Sequence, residues 1–148
     1  GNHEKRDGYA QAHQEAGLPV DDDLLADPLG NSVIRGYWAM DRLMSMSMRP
    51  TAVFAANDSL AIGALRWTQK NNLRVPKDVA IIGFDNIEFA EHAATPISSV
   101  KYEVDMVTEL AVERLLQLIA TPDGLPEPRV TMIDPELIVR DSTAGRGD

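Results

Sequence analysis

The 148-residue chain contains no cysteine. That absence excludes a disulfide framework, a Cys-based zinc site and a thiol nucleophile together. Positive charge is also scarce: 14 Lys and Arg stand against 23 Asp and Glu, a formal charge of -9. Binding to phosphates requires clustered Lys and Arg, so these residues do not form a nucleic-acid surface. No apolar run approaches the roughly 18 residues needed to cross a bilayer, and no basic stretch followed by an apolar one opens the chain. The expectation is a soluble protein with no membrane partner, and the lack of cysteine suits the cytoplasm. The catalytic signatures are missing as well: there is no nucleophile elbow, no P-loop and no G-x-G-x-x-G. His3, His13 and His92 are widely spaced and form no H-E-x-x-H pattern. Neither a metal, nor a cofactor, nor a catalytic residue is therefore expected.

What is present fits one folded domain, since single cores commonly occupy about 100 to 150 residues. Hydrophobic residues at 44% and charged residues at 25% are values of a globular chain rather than a disordered one. Apolar runs rich in β-branched residues alternate with amphipathic segments of helix length, which predicts an α/β fold with a largely parallel sheet flanked by helices. Glu4 to Ala16 predicts a helix with Tyr9, Ala12, His13 and Ala16 inward and Gly17 as its stop. Leu24 to Leu29 reads as a short strand. Ser32 is placed to cap a helix with the stripe Val33, Tyr37, Met40 and Met44, ending before Pro50. The run Thr51 to Ala56 and the run Val79 to Phe84 have the unbroken apolar character of central parallel strands. Between them lies a helix with Ala61, Ala64, Leu65 and Thr68 inward, capped by Asp58 or Ser59. Ser98 to Tyr102 looks extended, and Met106 to Ile119 predicts an amphipathic helix whose apolar face needs a partner. Thr121 to Pro128 is read as a loop, Arg129 to Arg140 as extended chain, and Ala144 to Asp148 as a frayed tail.

In open α/β sheets ligands bind beyond the carboxyl ends of the strands. There the first apolar run finishes in Ala56-Asn57-Asp58 and the second in Phe84-Asp85-Asn86. Each tip offers a carboxylate and an amide, which accept from and donate to the hydroxyls of a polyol or the edge of a heterocycle. Asp58 is read as a helix cap; Asn57 and Asp85 either contact a ligand or close their own turns. The triplet Asp21-Asp22-Asp23 lacks the alternating spacing of a calcium loop and reads as solvated. Met40 and Met44 fall on their own helix's packing stripe.

Three segments resemble one family. Pro50 to Leu65, PTAVFAANDSLAIGAL, is similar to the strand and helix typical of LacI/GalR regulators; Val75 to Asn86, VPKDVAIIGFDN, is similar to the strand that follows; Pro135 to Thr143, PELIVRDST, is similar to the closing segment. The resemblance implies a Rossmann-like, periplasmic-binding-protein type I architecture in two lobes. It implies that residues 1–97 form the C-terminal lobe without its first strand, that 98–134 cross into the N-terminal lobe, and that 135–148 return. Gly1-Asn2-His3 then looks like a point just after a lost strand, as in a truncated or proteolysed piece. A missing N-terminal helix-turn-helix would carry all DNA contact. By the same resemblance Asn57 and Asp85 match residues that hydrogen-bond a small-molecule effector. Many members open the first helix with Arg-x-x-Gly; here Lys5 stands three before Gly8 and Arg6 two before it, so the position of the effector's cation is open between them. Asn31 stands where some members carry a stacking aromatic and leaves only a polar contact there. Contacts of a homodimer would map near Ile62 and around Phe89 to Ala93.

The function this implies is sensing of a sugar or nucleobase-like metabolite by a transcription regulator, and not catalysis. An extracytoplasmic sugar-binding protein of a transporter shares the fold. A flavodoxin-like enzyme using Asp85 as acid or base is the reading from a third class.

Overall fold

A computed structural model describes residues 2–27, 29–120 and 128–145. A mixed four-stranded sheet in the order β1-β2-β3-β4 is built from Ala52–Phe54 (β1), Ala80–Phe84 (β2), Ser98–Lys101 (β3) and Glu136–Ile138 (β4). The first three strands run parallel, with Phe54 opposite Ile82 and Phe84 opposite Val100; β4 pairs antiparallel with β3. Among the described residues five α-helices accompany them: α1 (Asn2–Glu15), α2 (Val33–Met44), α3 (Asp58–Lys70), α4 (Glu88–Glu91) and α5 (Val104–Ala120). The expected α/β class with a largely parallel sheet is borne out.

The stop at Gly17 is explained by its backbone. With φ at 68° it takes the left-handed turn, while its own N–H and that of Leu18 return to the carbonyls of Gln14 and His13. The face of α1 expected to pack inward is only half-buried at Tyr9 and His13, and Ala12 and Ala16 are exposed.

The described part of Leu24 to Leu29 forms no strand. Asp22–Leu24 forms a single 3-10 turn capped by Asp21, whose carboxylate accepts from the Asp23 N–H at 2.9 Å. Side-chain capping by consecutive aspartates wins over strand propensity here. Arg42 on α2 then holds the carbonyls of Asp23 and Leu25 at 3.2 and 3.1 Å. Among the described residues β1 pairs with β2 alone, and this segment does not take up its outer edge. Pro28, 121–127 and 146–148 lie outside the described residues, and with them nearly all of the expected Thr121 to Pro128 loop and most of the tail.

Ser32 does stand at the start of α2, in extended backbone, but its hydroxyl makes no cap hydrogen bond. Helices α2 and α3 cross with their backbones almost touching. A Cβ on Gly36 would run into the backbone of Leu60, and one on Gly63 into the carbonyl of Val33. The pair of glycines is what lets Met40, Met44, Leu60, Ala64, Leu65 and Trp67 close one core over Ile81 and Val79. Trp67 pays no polar penalty there, because its indole N–H donates to Asp41 Oδ1 at 2.8 Å.

On the opposite side of β2 stand Ile82 and Phe84, half-buried. The closing segment is sewn to the sheet by hydroxyls: the Ser142 hydroxyl accepts from Ser98 N–H at 2.8 Å and donates to the Ile81 carbonyl. Helix α5 has no buried residue, and Leu115, Leu116 and Ile119 are more than half exposed. Among the described residues the apolar face of α5 stays uncovered.

Candidate functional site

The parallel register of β1 and β2 brings the carboxyl ends of the two apolar runs to one edge of the sheet, where Asn57 and Asp85 follow. The roles of the first tip differ from expectation. Asn57, and neither Asp58 nor Ser59, caps α3: its Oδ1 accepts from the Leu60 N–H at 2.9 Å, so the cap does not use its NH2 donors. Asp58 is fully buried and accepts from the Ser99 hydroxyl at 2.7 Å and the Ile87 N–H at 2.8 Å. Burial pushes its carboxyl above the usual range, with the charge of Asp85 adding to the rise; the bonds from Ser99 and Ile87 and the charge of Arg140 pull the other way. Close packing above Gly83 enforces this burial, since a Cβ there would strike the Asp58 carboxylate.

At the second tip, Asp85 and Asn86 have φ of 99° and 52°, two consecutive non-glycine residues in the left-handed region. Asp and Asn tolerate it better than other side chains, which explains the residue types at this turn. The Asp85 N–H donates to the Val100 carbonyl at 3.0 Å, while its side chain is half-buried.

Of the two candidate cations the structure separates Lys5 from Arg6. Lys5 reaches from α1 across both tips: its Nζ donates to the Ala56 carbonyl at 2.8 Å and stands 3.7 Å from the centroid of the Phe84 ring. Tyr102 lies next to that ring, 6.1 Å between centroids. Arg6 is drawn away to Asp22 at 3.1 Å in an exposed pair. Asn31 is exposed ahead of α2. A groove of about 480 Å³ runs along the free edge of β1, lined by Lys5, Tyr9, Leu25, Met40, Val53 and Ala56 among others. Asn57 and Asp85 do not line it; Lys5 and Ala56 connect the groove to the tips.

Of the interface candidates, Phe89 is 75% exposed, whereas Ile62 and Ala93 pack against the core. Among the described residues no group of three or more His, Asp or Glu gathers as a metal site. Sequence reasoning missed Phe84 as a platform for the cation, and it missed Ser99 and Arg140 behind the second tip. The consecutive serines inside β3 are the one signal that could have flagged the latter, since hydroxyls in a buried strand need partners.

A profile of the periplasmic binding protein-like domain matches residues 1–143. The chain belongs to that family. Within it, the relatives are the LacI-type regulators that the three segments resemble. The chain is 38% identical over 136 residues to the HTH-type transcriptional repressor PurR of Vibrio campbellii, covering 91% of this chain and 40% of that protein. A LacI-family transcriptional regulator from Sanguibacter keddieii superimposes with a TM-score of 0.87 at 38% identity, over 93% of this chain and 51% of that one. The regulator CelR in its cellobiose complex gives a TM-score of 0.81 at 32% identity, over 91% and 40%. The chain thus spans about 40% of the length of the curated relatives it matches.

Proposed function

We propose that this chain is the C-terminal lobe of the effector-binding module of a LacI/GalR-type transcription regulator, and that its site senses a small polar metabolite without turnover. The observation that carries the reading is the meeting of Asn57, Asp85 and Lys5 at the carboxyl ends of two neighbouring parallel strands. The Asn57 amide and the Lys5 ammonium donate, and the Asp85 carboxylate accepts. A sugar, or a nucleobase-like ring laid near Phe84 and Tyr102, matches that set. Lys5 is the cation that meets the effector; Arg6, paired with Asp22, and Asn31, exposed ahead of α2, are further polar candidates.

Residues 1–101 belong to the lobe, the crossing to an N-terminal lobe falls within 102–134, and the chain returns from 135. Since Ser98–Lys101 is a strand of this sheet, the departure falls after it. The exposed apolar face of α5 belongs against that other lobe. The groove beside β1 has an unpaired strand edge and an apolar lining, features suited to a further parallel strand. Effector held between the lobes favours one relative orientation by its differential affinity. In a homodimer joined through the surface around Phe89, that movement alters the spacing of helix-turn-helix heads on DNA.

Relatives named as repressors favour this reading over a transporter's sugar-binding protein, and a cytoplasmic location follows from it. Calorimetry of the full-length regulator against a sugar and purine panel is the test. Saturable binding with no turnover is expected. Affinity unchanged by Asn57→Ala plus Asp85→Ala would refute the site.

A further inference from the structure

We propose that Arg140, acting with Ser99 and Asp58, is a positioning residue that locks the Asp85–Asn86 turn in its left-handed backbone and so aims the Asp85 carboxylate at the ligand. The inference rests on the effector reading for what Asp85 does, but the clamp itself is a separate physical claim.

Two adjacent non-glycine residues at positive φ do not persist unless their surroundings over-determine them. Here they do. Three successive amides each find an acceptor, two from β3 and one from α3: Asp85 N–H on the Val100 carbonyl at 3.0 Å, Asn86 N–H on Ser99 Oγ at 3.0 Å, and Ile87 N–H on Asp58 Oδ2 at 2.8 Å. Ser99 is fixed in turn because its hydroxyl donates to Asp58 Oδ1 at 2.7 Å. Arg140 closes the arrangement from the far side of the chain. One of its terminal nitrogens donates to Asn86 Oδ1 at 2.9 Å and Glu91 at 3.2 Å, and the other to the Ile97 carbonyl at 2.9 Å. Its own backbone N–H is held by Ser98 Oγ at 2.8 Å, which fixes the base of the side chain. A planar fork can serve three acceptors on the turn, on α4 and ahead of β3 at once, which an ammonium does with less geometric control. Arg140 touches the turn through Asn86 and not through Asp85, which is why it positions and does not bind.

Hydrogen exchange read residue by residue tests this without any ligand. In Arg140→Met the amides of Asp85, Asn86 and Ile87 are expected to exchange at least tenfold faster, while Ala55 and Ala61 change less than twofold. In an Asp85→Gly background the same substitution is expected to raise exchange at Asn86 and Ile87 by a smaller factor than in the parent, because glycine enters positive φ freely and only Asn86 still needs the clamp. An equal rise in both backgrounds would overturn the proposal, as would a rise shared by Ala55 and Ala61. Should Arg140→Met fail to fold, Arg140→Lys read at the same amides gives the same decision, because a single ammonium cannot serve Asn86, Glu91 and the Ile97 carbonyl with the geometry of the fork. Failure of the calorimetric panel would count against the effector reading alone, since the exchange pattern does not depend on it.

Discussion

Replacing Asp58 with alanine tests the burial of a carboxylate between the two strand tips. The substitution strands the fully buried Ser99 hydroxyl and the Ile87 N–H at the entry to α4. Hydrogen bonds to a charged acceptor contribute about 1.5–3 kcal/mol each. Two of them set an upper range of about 3–6 kcal/mol, from which the relief of a costly buried charge must be subtracted. A net loss of about 2–4 kcal/mol in urea unfolding is expected. Asp58→Asn is expected to lose less, about 1 kcal/mol: its Oδ1 can still accept from Ile87, but its NH2 group must turn towards Ser99 and deprive that hydroxyl of an acceptor.

The sign of the pH dependence follows from burial. The folded-state pKa of Asp58 lies above the ordinary 3.8, so the native state binds this proton more tightly than the unfolded chain does. The stability advantage from that proton is therefore full below 3.8 and declines as pH rises from there through the folded value. Relative to Asp58→Asn, the parent protein should be most favoured at the acid end and lose ground across that window. An Asp58→Ala protein within about 0.5 kcal/mol of the parent would refute the burial argument. So would a difference from Asp58→Asn that grows with pH.

Other consequences are equally specific. Gly63→Ala and Gly36→Ala each force a methyl group against the backbone of the neighbouring helix, and each should cost about 1–3 kcal/mol or more in the same unfolding assay. Ser142→Ala removes the acceptor of Ser98 N–H and the donor to Ile81, and is expected to cost about 1–3 kcal/mol, measured by the urea midpoint. The Arg74 guanidinium, at 2.7 and 3.0 Å, holds the Asp78 carboxyl down to about 2; by NMR titration Arg74→Gln should return that midpoint towards 3.8. Because the folded value is lowered, the benefit of this pair is present above 3.8 and vanishes as pH falls through about 2.

The elements were legible where periodicity was strong. Met40 and Met44 mark the buried stripe of α2, and the unbroken runs before Asn57 and Asp85 mark β1 and β2 as neighbours with a shared carboxyl edge. The segment after Asp21 misled because a short apolar run cannot distinguish a strand from chain pinned by another element's side chain, here Arg42. The division of labour between Asn57 and Asp58 was hidden for a related reason. Either side chain can cap a helix, and the choice is made by Ser99 and the Ile87 amide, which lie 41 and 29 residues away. Lys5 was separated from Arg6 only by tertiary contacts, with Ala56 and Phe84 on one side and Asp22 on the other. Composition carries no trace of such pairings.

The most direct test of the sensor account uses substitutions that spare the fold. Serine at 57 keeps a helix cap while removing the amide, and asparagine at 85 tolerates the left-handed backbone while removing the charge. Calorimetry of the full-length regulator with its best ligand from the sugar and purine panel should show Asn57→Ser plus Asp85→Asn binding weaker by roughly a hundredfold or more, with unfolding stability nearly unchanged. Undiminished affinity in that doubly substituted protein would contradict the claim that these two strand tips hold the effector.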